Sequence, residues 1–250
     1  MELGIEGKTA LVMGASQGLG RAIAAALAAE GARVAMASRS QEKLDQAAAT
    51  IQGETATFAA DTADLDRLAR LPGEVAERLG PVEILVTNTG GPPLGGPLDN
   101  SSEEWDAAYR NLVTAPRELV AAVLPAMRER GWGRIVNVGS TSTLEPIPIL
   151  TISNALRMAA VGFFKTLAWE VARDGITVNT VATGRFATQR LADPSGSLEP
   201  AEEQAKKDVP AGRLGRPEEY GDLVAFLCSK RAAYLTGTVI PLDGGAMRSV

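Results

Sequence analysis

Short apolar runs alternate with helical stretches along almost the whole chain, and few folds accept that order. Residues 9–13, 33–38, 55–60, 84–87, 134–138, 176–181 and 238–241 read as strands. Helical stretches fall between them at 19–30, 41–51, 64–78, 102–130, 153–173 and 218–229. Strands with this unbroken apolar character are buried on both faces, which implies a parallel sheet covered by helices on each side. Right-handed crossovers make such a sheet doubly wound and leave the ligand at the carboxyl ends of its strands. The reading is an α/β chain: a doubly wound parallel sheet (Rossmann fold), three-layer α/β/α, forming one domain over 1–250. No repeat or linker divides it. Residues 185–209 are polar, without a strand pattern, and read as a long loop that is either a substrate lid or a surface excursion.

Between the first strand and the first helix lies Gly14-Ala15-Ser16-Gln17-Gly18-Leu19-Gly20. A strand that passes through glycines into a helix aims backbone N–H groups and the positive helix end at one point. Such a point holds a phosphate or pyrophosphate without a basic side chain. The glycines permit the tight turn and the close approach of a ligand. Gly14, Ser16, Gln17, Gly18, Leu19 and Gly20 are therefore the first candidate cofactor contacts.

Composition narrows the chemistry. A net charge of −5 with no basic block speaks against nucleic acid as a partner. No apolar run approaches a membrane span and no signal segment opens the sequence, so a cytoplasmic protein without a membrane partner is expected. There is no histidine, which removes histidine bases, histidine triads and most zinc sites; no metal is expected. The single cysteine, Cys228, sits in an apolar helical run and reads as a buried, inert thiol.

The second strand ends Ser38-Arg39-Ser40. An acid there would bind a ribose 2′-hydroxyl; Arg39 instead suits a 2′-phosphate through its planar fork. NADP(H) is the expected cofactor. Asp61, after the third strand, either accepts from an adenine amino group or caps the next helix.

These residues together resemble the short-chain dehydrogenase/reductase family, in particular 3-oxoacyl-(acyl carrier protein) reductases. Gly14, Gly18 and Gly20 match the family's cofactor turn. Thr87-Asn88-Thr89-Gly90 is similar to its Asn-Asn-Ala-Gly strand end, which implies cofactor roles for Asn88 and Gly90. Asn111 falls where the family has an active-site asparagine. Gly133 to Ser140 resembles the strand ending in the catalytic serine, Ser140. Residues 175–184 are similar to the sixth strand and its Pro-Gly turn, with Thr183 replacing the proline; Gly184 and Thr188 are implied cofactor contacts. Residues 215–219 and 242–245 resemble the C-terminal signature. By the same resemblance, a homo-oligomer (dimer or tetramer) and a small-molecule carbonyl substrate are implied.

The resemblance breaks at the family's Tyr-x-x-x-Lys. In the same register this chain has Ser153-Asn154-Ala155-Leu156-Arg157. A tyrosine (unperturbed pKa about 10) becomes a usable acid beside a cation, whereas a serine is far weaker and an arginine does not readily release its proton. Ser153 and Arg157 still offer a hydroxyl and a fixed charge one helical turn apart, and Arg157 can still hydrogen-bond a nicotinamide ribose. Glu145, with a raised pKa, is the candidate replacement acid, and an exposed loop glutamate is the alternative. Tyr109 points away from Asn111 on its helix, and Tyr220 and Tyr234 read as packing or rim residues. The expected activity is NADP(H)-dependent reduction of a ketone or 3-oxoacyl thioester to an alcohol, with Ser140 and Ser153 polarising the oxygen. The alternatives are an impaired NADP(H)-binding or sensing module, and a non-redox enzyme using Arg157 as an oxyanion clamp.

Overall fold

In the computed structural model, which describes residues 2–192 and 195–249, seven strands lie in one sheet. They are Thr9–Met13 (β1), Arg33–Ser38 (β2), Thr55–Ala59 (β3), Ile84–Thr87 (β4), Gly133–Val138 (β5), Ile176–Thr183 (β6) and Val239–Leu242 (β7). The order is β3-β2-β1-β4-β5-β6-β7 and every pairing is parallel. The order reverses between β1 and β4, which opens a crevice at the carboxyl ends of those two strands. Pro241, which cannot donate to a ladder, sits on the edge strand β7, where that costs least.

The helices are Gly18–Ala29 (α1), Gln41–Ala48 (α2), Leu65–Leu79 (α3), Ser102–Tyr109 (α4), Ala115–Arg130 (α5), Thr151–Val171 (α6), Glu199–Asp208 (α7) and Pro217–Cys228 (α8). One apolar layer packs α3, α5 and α6 on the sheet; the other packs α1, α2 and α8 on its opposite face. The three α/β/α layers expected of the sequence are present. Cys228 is fully buried in the second layer, and burial pushes its thiol up to about 12.

Two stretches differ from the sequence reading. The helix expected over 102–130 is not continuous, because Arg110–Thr114 forms a π-turn between α4 and α5. A capping box of Ser101 and Glu104 starts α4, and Gly131, at φ +61°, ends α5. Residues 185–209 are not a plain loop: α7 fills their second half, with Ala205, Val209 and Leu214 buried together. Arg185 pairs with Asp208 across this segment at 2.9 Å. Within it, Asp193 and Pro194 lie outside the described residues.

Candidate active site

The glycine turn is built around backbone proximity. Gly14 and Gly18 have φ of +62° and +55°, in the region that favours glycine. A Cβ at Gly20 would lie 2.1 Å from the Gly14 carbonyl oxygen and 2.8 Å from Asn88 Nδ2. Asn88, at the exit of β4, thus wedges its amide between Gly14 and Gly20. Gln17 precedes α1 and no side chain caps it, so the first N–H groups of the helix face the crevice with no side-chain acceptor on the cap. Ser16 and Leu19 are half-buried beside them. Across the crevice, a Cβ at Gly18 would touch the Thr188 methyl at 3.5 Å.

At the end of β2 the Ser38 hydroxyl is buried without a hydrogen-bond partner among the described residues. Such a group costs free energy unless something arrives to satisfy it. Arg39, next along, is exposed and makes no ion pair among the described residues. An orphaned hydroxyl, a free guanidinium and an uncapped helix N-terminus suit a phosphorylated nucleotide. Asp61 is exposed and accepts from the Ala63 N–H at 2.9 Å. The cap of α3 is Asp64, which accepts from the Arg67 N–H at 2.9 Å, so the capping role considered for Asp61 belongs to Asp64.

Of the four residues expected at the reactive end, Ser140, Ser153 and Arg157 lie about the exit of β5, and Asn111 lies beside Gly90 after β4. Asn111 lies in the π-turn, a helix irregularity frequent at functional sites. The Thr62 hydroxyl donates to Asn111 Oδ1, and Asn111 Nδ2 donates to the Gly90 carbonyl at 3.4 Å. Ser140 Oγ accepts from the Ser142 N–H at 3.1 Å. The hydroxyl that meets buried Ser153 belongs to Ser142, with the two oxygens 3.4 Å apart. The short helical turn at 141–143 carries Ser142 inward, beside Ser153. Ser142 is fully buried, and nothing in its spacing along the sequence marks the turn.

Arg157 Nη1 donates to the Val138 carbonyl at 2.9 Å, which anchors α6 to the exit of β5. No carboxylate pairs with it among the described residues. Enclosure of its guanidinium, then the charge of nearby Arg190, bring it down to about 10, and Tyr220 partly opposes them. Of the two readings for Tyr220, packing holds: it is fully buried, packs edge-on against Phe186 and shares a 2.9 Å hydrogen bond with the Thr183 hydroxyl. Burial pushes its phenol up, so it is a poor acid. Thr183, in the place of the family's proline, is thus a hydrogen-bonding partner. Gly184 is required by contact, since a Cβ there would lie 2.6 Å from Asp243 Cα.

Glu145 does not have the expected raised pKa. Its Oε1 accepts from the Ser249 and Arg248 N–H groups at 2.5 and 2.8 Å, and these bonds hold the carboxyl below the usual range. It tethers the C-terminal segment and is unsuited to giving up a proton near neutrality. The loop that carries it is fixed to α6 by Asn154, which bonds both the N–H and the carbonyl of Ile147 at 3.2 and 3.0 Å. At its far end Ile149 has φ +60°, a genuine outlier for a β-branched residue, and its carbonyl accepts from Gly95 at 2.8 Å.

The family described as Enoyl-(Acyl carrier protein) reductase matches residues 14–247. Dehydrogenase/reductase SDR family member 4 of Homo sapiens is 36% identical over 242 residues, covering 95% of this chain and 87% of the relative. Among solved structures, L-sorbose reductase from Gluconobacter frateurii, complexed with NADPH and L-sorbose, is similar with a TM-score of 0.93 and 31% identity, covering 100% of both chains. A 3-oxoacyl (acyl-carrier-protein) reductase from Agrobacterium tumefaciens with NADP bound has a TM-score of 0.92 and 30% identity, covering 98% of this chain and 96% of the other. With the parallel sheet and the glycine turn in place, the chain belongs to the short-chain dehydrogenase/reductase family and is an oxidoreductase of that type.

Proposed function

We propose that this oxidoreductase uses NADP(H) to reduce a carbonyl, of the ketone or 3-oxoacyl thioester kind, at an active site that lacks the family's tyrosine and lysine. The observation that carries the cofactor reading is the end of β2, where a buried, partnerless Ser38 hydroxyl adjoins an unpaired Arg39. Two NADPH- or NADP-bound reductases of the same fold support it. When bound, NADP(H) supplies the hydride. Gly14 to Gly20 and Thr188 hold its diphosphate, Arg39 and Ser38 its 2′-phosphate end, and Asn88 and Gly90 the ribose side.

Ser153, steadied by Ser142, donates a hydrogen bond to the substrate oxygen; Ser140 lines the same wall. Arg157 supplies a fixed positive charge against the oxygen as it becomes negative. Because Arg157 hardly releases its proton, the proton reaches the product oxygen from solvent on the Asn111 side, and electron-poor carbonyls react best. Residues 185–209, with α7, act as the substrate lid. We place the protein in the cytoplasm as a homo-oligomer; Trp169 and Met158, exposed on α6, are available for such contacts.

The test is NADPH oxidation across 3-oxoacyl thioesters and activated ketones by the native chain and by a Ser153→Tyr/Arg157→Lys variant. Native turnover is the expected result. NADPH binding without consumption, together with turnover by the variant alone, would replace this reading with that of a binding or sensing module.

A further inference from the structure

Tyr220 braces one segment of the chain at two points. Its ring packs edge-on against Phe186, with centroids 5.2 Å apart, and its hydroxyl meets the Thr183 hydroxyl at 2.9 Å. Phe186 is held in turn by a backbone bridge to Gly215. Tyr220 is fully buried, while Thr183, the last residue of β6, is half-buried. Among the described residues neither hydroxyl has another hydrogen-bond partner. Each hydroxyl carries one proton, and only one of the two can lie between the oxygens. If Thr183 donated, the phenol proton would be sealed in the core without an acceptor, which is costly. Tyr220 therefore donates, and the Thr183 proton is left for an acceptor outside the core.

That proton lies along the path of the cofactor. Val181, on the same face of β6 as Thr183, pairs with Val138, whose carbonyl holds Arg157. Further along the chain, Thr188 sits against Gly18, in the turn proposed to hold the diphosphate. Residues 183–188 thus run from the reactive end to the glycine turn, as the nicotinamide half of the cofactor must. The polar group which that half carries on its ring is a carboxamide, and its oxygen is an acceptor. We infer that Thr183 donates a hydrogen bond to the nicotinamide carboxamide oxygen, and that Tyr220, which touches no ligand, is the positioning residue that aims it. A carboxamide held by one directed donor sets the rotation of the ring, and so the face it turns to the substrate. The inference rests on the NADP(H) reading of this site.

The test is calorimetric titration of the full chain with NADP+ and with its thionicotinamide analogue, in which a weakly accepting sulfur replaces the carboxamide oxygen. The native protein is expected to bind NADP+ about fivefold more tightly than the analogue, the worth of one neutral hydrogen bond. Thr183→Ser, which keeps the donor, should retain that preference, and Thr183→Val should abolish it. Tyr220→Phe should reduce it to about twofold, and should change nothing further when added to Thr183→Val. Thermal melts separate this from a merely structural role. Thr183→Val strands the phenol and should melt lower, whereas Thr183→Val/Tyr220→Phe, with both partners gone, should recover. That double variant also keeps the titration possible if Thr183→Val alone fails to fold. Melts that move in this way while the preference for NADP+ survives in the valine variants would overturn the inference. So would native protein that binds the two nucleotides alike, and a full preference in Tyr220→Phe would overturn the positioning role. Native protein that takes up neither nucleotide would instead sink the cofactor reading, and this inference with it.

Discussion

In the proposed mechanism Arg157 is the group whose charge ties activity to pH. Neither Ser140, Ser142, Ser153 nor Asn111 changes charge in the ordinary range, and the chain has no histidine. The activity profile is therefore expected to be flat across neutrality and to fall as Arg157 loses its proton, with a midpoint of about 10. In Arg157→Gln that alkaline limb should vanish along with most of the activity; a limb that survives would locate the titrating group elsewhere. Glu145 works in the opposite direction. Its pKa is depressed in the folded chain, so its contribution is present above its ordinary value of 4.5 and lost as pH falls through the folded value. Glu145→Gln should raise hydrogen exchange at the Arg248 and Ser249 amides at pH 7, whereas the native tail should loosen only in acid. Equal exchange in both proteins would show that the tail is held by other contacts.

Among the helices, α1 and α8 cross at close quarters. A Cβ at Gly221 would lie 2.6 Å from the Ala22 carbonyl oxygen and 3.1 Å from Ala26 Cβ. Alanine normally gains about 1 kcal/mol over glycine inside a helix and buries a further methyl group worth about 0.8 kcal/mol. Here the obstacle is backbone, which cannot turn aside, and overpacking of this kind costs about 1–3 kcal/mol beyond those gains. Gly221→Ala is expected to lower the melting temperature by a few degrees; a stabilised variant would mean that the two helices separate easily. The π-turn is the other decisive junction. It lets α4 and α5 each keep an apolar face on the protein while Asn111 turns to Gly90 and Thr62.

For the whole molecule, a cofactor bound as proposed would join the two halves of the sheet, since the glycine turn follows β1 and Thr188 follows β6. NADPH at 100 times its dissociation constant stabilises by about 2.7 kcal/mol, which corresponds to a rise of about 5–10 °C in a chain of this size. The same concentration of NADH should give a much smaller rise if Arg39 and Ser38 read the 2′-phosphate. Equal shifts would remove that role. The parallel sheet, its layers and the glycine turn were legible because each follows from local pattern: buried apolar runs, helical periods and glycines at fixed offsets. What stayed hidden depends on partners far apart in sequence. Nothing near Glu145 announces Ser249, nothing near Tyr220 announces Thr183, and no local signal tells a π-turn from a continuous helix. The orphaned Ser38 hydroxyl likewise has meaning only once its neighbours are placed.

Ile149 has a consequence for how this enzyme can change. Its left-handed backbone is held against the preference of a β-branched side chain, at a cost of about 1–3 kcal/mol, where the 140–150 loop meets Gly95. Most substitutions that reshape a pocket wall spend stability to do so. Glycine or asparagine at this position would relax the backbone instead, so new substrate ranges can be explored here without first acquiring compensating mutations elsewhere.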